Sequence, residues 1–207
     1  MNIFLVVIIG LNVLFSYKGF NDSLFFRKYQ FHIASIRAGE HFRMFTSAFL
    51  HGDIGHLFFN MLTLFFFGPV VIEHFGNYSF LLIYFGSLLF GSLLTLFIHK
   101  NDLNYTAIGA SGAIMGILYS AILIAPGMSI NFIPAPIFGI GYLLYSIYGM
   151  KAKNDNIGHT AHFGGAIGGY VLTLVKEPQM FTNNIMMVVL LAIPIIVLFV
   201  MAKMGKI

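Results

Sequence analysis

Between Asp102 and Lys151 the chain carries no Asp, Glu, Lys or Arg. A stretch of that kind has almost nothing to offer water. In hydrocarbon every backbone N–H and C=O must bond within its own segment or a closed barrel, so helices are the economical solution. Alternating apolar and polar residues, the mark of a barrel strand, are absent. Composition agrees: 58% of residues are hydrophobic and only 9% are charged, against about a quarter charged in soluble domains. The reading is an all-α membrane protein of one domain.

A bilayer core takes about 20 apolar residues per helix. On that ruler helices fall near 2–17, 55–75, 78–98, 108–126, 131–150, 157–176 and 183–203. Met1 to Tyr17 lacks the positive start and the cleavage site of a signal peptide, so it reads as a retained, short first helix. The first connection, about 18–54, is long and carries Lys18, Asp22, Arg27, Lys28, Arg37, Glu40 and Arg43. Phe42, Met44, Phe45, Ala48, Phe49 and Leu50 are interspersed there, a pattern suited to an element half-sunk in the interface. Phe75 to Tyr78 and Pro126-Gly127 read as tight turns. There is no cysteine, which excludes a disulfide framework and a thiolate metal site. A net charge of +4 with no basic run gives no sign of a nucleic acid partner.

Three polar sites interrupt the apolar helices. His56 and Asn60 are four apart, on one face of the second helix. Ser111, in Gly109-Ala110-Ser111-Gly112, opens the fourth. His162, in Ala161-His162-Phe163-Gly164-Gly165, lies near the start of the sixth. Even-numbered helices run in one direction, so the three sites share a depth on one side of the membrane. Intramembrane polar residues usually face the bundle interior and mark function.

Residue types set the chemistry. A serine hydroxyl becomes a nucleophile when a histidine takes its proton. Ser111 is the nucleophile in this reading, and His162 is general base and then acid to the leaving amine. No carboxylate lies inside a helix nearby, and Asp155 falls in a loop, so a dyad is expected rather than a triad. An oxyanion needs donors. The first amides of the fourth helix, the amide of Ser111 among them, lack helical partners, and His56 and Asn60 add side-chain donors. Gly112 and Gly116, with Gly165 and Gly169, are spaced so that the fourth and sixth helices can approach closely. A bulky residue at Gly165 should therefore impair activity through distance.

These residues resemble the rhomboid family of intramembrane serine proteases. The match runs from about Glu40 to Gly169: Arg43 then Thr46, His51, His56 with Asn60, Gly109 to Gly112, and Ala161 to Gly165. The resemblance implies a six-helix catalytic core, here over 1–176, and the apolar run Asn183 to Lys203 within 177–207 suggests a seventh helix after it. It implies cleavage of membrane-anchored proteins in or near their transmembrane segments, with no metal or cofactor. Carried over by motif, Ser111 and His162 are catalytic, while His56, Asn60 and the Ser111 amide form the oxyanion site. Arg43, Glu73 and Gly109 are structural. Two positions depart from the family pattern: Phe42 replaces a tryptophan before Arg43, and Met115 replaces an aromatic residue four positions after Ser111.

Two other readings compete. His51, His56, His159 and His162 could ligate a metal in a transporter, since imidazole suits several ions; the lack of intramembrane carboxylates weighs against it. A catalytically inactive rhomboid-like protein could bind membrane helices, although both Ser111 and His162 are present. Lys18, Arg27, Lys28, Arg37, Arg43, Lys100, Lys151 and Lys153 fall on the catalytic face and Lys176 on the other. The charge rule alone would turn that face to the cytoplasm. The resemblance implies the opposite, a multi-pass protein of a bacterial inner membrane with its site open to the outside.

Overall fold

The computed structural model describes residues 2–152 and 157–206. Its helices are α1 (Ile3–Asn21), α2 (Ser23–Tyr29), α3 (Ile33–Arg37), α4 (Arg43–Thr46), α5 (Ile54–Phe75), α6 (Asn77–Ile98), α7 (Ser111–Ile124), α8 (Ala135–Ala152), α9 (His159–Lys176), α10 (Met180–Asn183) and α11 (Ile185–Lys203). Two short antiparallel pairs accompany them: β1 (Phe31–His32) with β2 (Thr106–Ala107), and β3 (Ser129–Ile130) with β4 (Ile133–Pro134). The seven spans expected from sequence correspond to α1, α5, α6, α7, α8, α9 and α11. Among the described residues, α1, α5, α6 and α11 are long and apolar enough to cross a bilayer.

The centre of the molecule is a three-helix wedge of α6, α7 and α9. Helix α7 has only 14 residues, and every residue from Gly112 to Leu123 is buried. A helix apolar on all sides belongs in a core. Around it pack α1 against α5, and α11 against α8.

Boundaries differ from expectation where local chemistry overrides hydropathy. The fourth span, expected over 108–126, starts at Ser111 because Gly109 adopts φ +110, outside helical space. It stops at Ile124 because Ala125 precedes Pro126 and takes φ −128, ψ 67. The turn expected at Pro126-Gly127 is instead a longer connection that contains the β3–β4 hairpin. Helix α8 therefore begins at Ala135 rather than near 131. Helix α1 runs a turn past Tyr17 to Asn21. There Asp22 caps α2, accepting from the amides of Leu24 and Phe25; the Phe25 amide first, and the Lys18 ammonium after it, hold its carboxyl below the usual range.

The first connection is a folded element. Arg43 is buried, and a buried guanidinium needs partners for its donors. Its Nε donates to Glu40 at 2.5 Å, and its Nη1 donates to the carbonyls of Arg27 and Gln30 at 2.7 and 3.0 Å. The Phe42 ring lies under the guanidinium at 5.7 Å, a cation–π contact that an aromatic residue other than tryptophan can also make. Thr46 Oγ1 donates to the carbonyl of Tyr29, and Ser92 Oγ of α6 donates to that of Met44. Two contacts then grip the approach to α7. Phe31 and His32 pair with Ala107 and Thr106, and the amide of Gly109 donates to the carbonyl of Ser47 at 3.0 Å. At the opposite end of the bundle Glu73 is exposed, and His74 beside it pairs with Glu177.

Candidate active site

Ser111 is the first residue of α7 and His162 the fourth of α9. The Ser111 hydroxyl lies 2.6 Å from His162 Nε2. Backbone proximity makes this contact possible. A Cβ on Gly165 would stand 1.8 Å from the Gly112 carbonyl oxygen, and one on Gly169 would stand 2.0 Å from that of Gly116. Gly112 faces the Ala161 carbonyl at 3.1 Å, and Gly116 leaves no room beside Ser87 of α6. A second glycine stripe on α9 does the same toward α6. There Gly164 and Gly168 would meet Phe90 O and Ser87 Cα at 2.7 Å. The spacing Gly164–Gly168 was as visible in the sequence as Gly165–Gly169. Gly109 is required twice over, by its positive φ and by the His56 ring, which a Cβ would approach to 2.8 Å.

A cavity of about 980 Å³ joins these residues. Ser111, His162, His56 and Asn60 all line it, together with Met115 and Tyr142. The Asn60 side chain is buried, and its Nδ2 has no hydrogen-bond partner among the described residues. A buried amide donor without a partner is costly unless something occupies the space before it. His56 is half-buried, its amide bonded to the Asp53 carboxylate that caps α5.

Behind the site, His51 is wholly buried, with its ring 4.9 Å from that of His56. Ser16 Oγ has one hydrogen, which it gives to the Phe49 carbonyl at 3.0 Å. It must therefore accept from His51 Nδ1–H, at 2.8 Å. That fixes the tautomer and leaves Nε2 to accept the long, 3.5 Å bond from the amide of Ala110, the residue before Ser111. Burial, helped by His56 and opposed by Asp53, pushes the His51 ring down to about 3 from 6.5. A depressed folded value means the neutral ring's contribution to stability is whole above pH 6.5 and is lost progressively as pH falls toward 3. His51→Asn should therefore flatten the unfolding midpoint across that window relative to the parent. An unchanged acid slope would contradict this account of the ring.

The other nitrogen of His162, Nδ1, lies 2.7 Å from the Tyr142 hydroxyl of α8. Tyr142 escaped sequence reasoning because it sits among Tyr145 and Tyr148 in an apolar helix, where aromatic residues read as interface belts. Met115, at the family's aromatic position, is buried and lines the same cavity. The four histidines of the metal reading are divided. His162 is with Ser111 and Tyr142, His51 is with Ser16 and beside His56, and His159 packs beside Tyr145 and against Gly149. Among the described residues no three His, Asp or Glu side chains are placed to hold a metal ion. Asp155 lies outside the described residues.

The family model for the rhomboid domain matches residues 38–179. Similar curated proteins include RHOMBOID-like protein 12, mitochondrial, of Arabidopsis thaliana, 29% identical over 78% of this chain and 54% of its own length. Putative rhomboid protease YdcA of Bacillus subtilis is 32% identical over 66% of this chain and 68% of its own length. Rhomboid protease GluP of Bacillus subtilis is 33% identical over 65% of this chain and 26% of its own length. The chain thus spans about half the length of the first of these and about a quarter of the last. With its apolar spanning helices and this matched core, the chain is an integral membrane protein of the rhomboid family.

Proposed function

We propose that this protein is an intramembrane serine endopeptidase that cuts membrane-anchored proteins in or near their transmembrane segments. The observation that carries the reading is the 2.6 Å contact between Ser111 Oγ and His162 Nε2 at the wall of a cavity that His56 and Asn60 also line. Two relatives are named as proteases, which supports it. His162 takes the serine proton as Oγ attacks the scissile carbonyl. It then gives that proton to the leaving amine as the C–N bond breaks, and water releases the acyl group through the same base. The developing oxyanion is received by the Ser111 amide at the dipole-positive end of α7, by Asn60 Nδ2 and by the His56 ring.

The cavity runs between α5, at Phe59 and Thr63, and α8, at Phe138 and Tyr142. A substrate helix unwound at its end can present a carbonyl there. We place the protein in a bacterial inner membrane with this face outward. The positive charges on that face are partly spoken for, since Lys18 pairs with Asp22 and Arg43 with Glu40.

A fluorophosphonate probe tests the reaction class directly. Folded protein should form an adduct whose mass maps to the peptide containing Ser111. No adduct, or one on another residue, would overturn the reading. Asn60→Ala should lower kcat by roughly a hundredfold or more, the usual effect of losing one oxyanion donor. Unchanged kcat in that variant would remove Asn60 from the oxyanion site.

A further inference from the structure

A histidine that accepts a proton at Nε2 must carry its resting proton on Nδ1, and the hydrogen bond at Nδ1 decides which tautomer prevails. Triad enzymes place a carboxylate there. Among the described residues, a phenol stands at His162 Nδ1, the Tyr142 hydroxyl at 2.7 Å. The two rings are tilted by 32° with centroids 6.0 Å apart, so the hydroxyl meets the nitrogen at the ring edge rather than the rings lying face to face. Tyr142 comes from α8, whereas the dyad comes from α7 and α9. Its own ring is held by Phe138, one turn earlier, stacked at 6.0 Å and 19°.

Two proton arrangements fit a 2.7 Å contact. The phenol may donate only if Nδ1 has a lone pair; the ring proton is then on Nε2, pointing at Ser111, and the base is disabled. In the other, Nδ1–H donates to the phenol oxygen and Nε2 is free to accept from Ser111. We infer that Tyr142 is a positioning residue for the hydrolysis. Its oxygen accepts the Nδ1–H of His162, selects the base tautomer, and strengthens its hold as the ring becomes imidazolium. This inference rests on Ser111 and His162 acting as nucleophile and base. It also explains how His162 can be oriented with Met115 at the family's aromatic position: the orienting group arrives from a different helix.

The test is ¹⁵N NMR of the full chain with labelled histidine, at about pH 8, where an ordinary imidazole is neutral. The His162 signals are assigned by their loss in His162→Gln. The expected spectrum has Nδ1 protonated and hydrogen-bonded and Nε2 unprotonated. In Tyr142→Phe the proton should spread onto Nε2, and kcat should fall about tenfold, the factor set by one neutral hydrogen bond, with KM within about twofold. An Nε2–H tautomer in the parent protein would overturn the inference, and so would Tyr142→Phe with parental tautomer and parental kcat. The parent spectrum needs no variant, so a poorly folding Tyr142→Phe leaves the test intact. Failure of the Ser–His reading looks different: the parent itself would neither take up fluorophosphonate nor cleave.

Discussion

Ser111→Ala should lower peptide-bond hydrolysis by a factor on the order of 10⁴ or more, and His162→Ala by a similar factor, because members of a nucleophile–base pair act as one unit. The double variant should be little worse than either single one for the same reason. Only the oxyanion donors and substrate binding would then remain to help water. Folding should be untouched in Ser111→Ala, since the hydroxyl projects toward the cavity and the helix start is held by the Gly109–Ser47 and Ala110–His51 contacts. The measurement is cleavage of a panel of single-span proteins in liposomes, with thermal unfolding in parallel. Cleavage persisting at the parental rate in folded Ser111→Ala would end the serine mechanism.

Gly165→Leu should be inactive for a different reason. Its first side-chain atom would sit 1.8 Å from the Gly112 carbonyl oxygen, and a backbone atom cannot rotate aside as a side chain can. Helix α9 must retreat from α7 by more than an ångström, which breaks a 2.6 Å contact one turn away. Overpacking usually costs about 1–3 kcal/mol, and contact with backbone places this case at the upper end or beyond. Fluorophosphonate labelling should be lost together with cleavage, and the unfolding midpoint should drop. Gly141→Ala is the control, because a Cβ there meets nothing within 4 Å. Full activity in Gly165→Leu would mean that close helix approach does not set the dyad distance.

The fold was legible in the sequence wherever hydropathy alone decides it. The spans near 55–75 and 78–98 coincide almost residue for residue with α5 and α6. Errors arose where backbone dihedrals decide instead, at Gly109, Ala125 and the β3–β4 hairpin. Of the candidate site, the 2.6 Å approach of Ser111 and His162 answers to the glycine spacings and helix directions. The Tyr142 contact does not, because periodicity ranks a tyrosine by its apolar body and says nothing of where its hydroxyl ends. The Ser16–His51–Ala110 chain was hidden for a similar reason. It joins α1 to the start of α7 across nearly half of the chain, and nothing local in Ser16 announces it. At the far end the side-chain contact is between His74 and Glu177, with Glu73 left exposed beside it.

Fourteen residues of α-helix make a rod about 21 Å long, whereas the oily interior of a bilayer is about 30 Å deep. Helix α7 is therefore shorter than that interior is deep, and the function proposed above puts its nucleophile, Ser111 at the start of α7, below one membrane surface. On that proposal the site would measure its substrates: only a bond carried to that level would be within reach, whatever its side chains. Thickening the lipid should bury the same bond deeper and move the cut along the substrate, a ruler that reads position before it reads sequence.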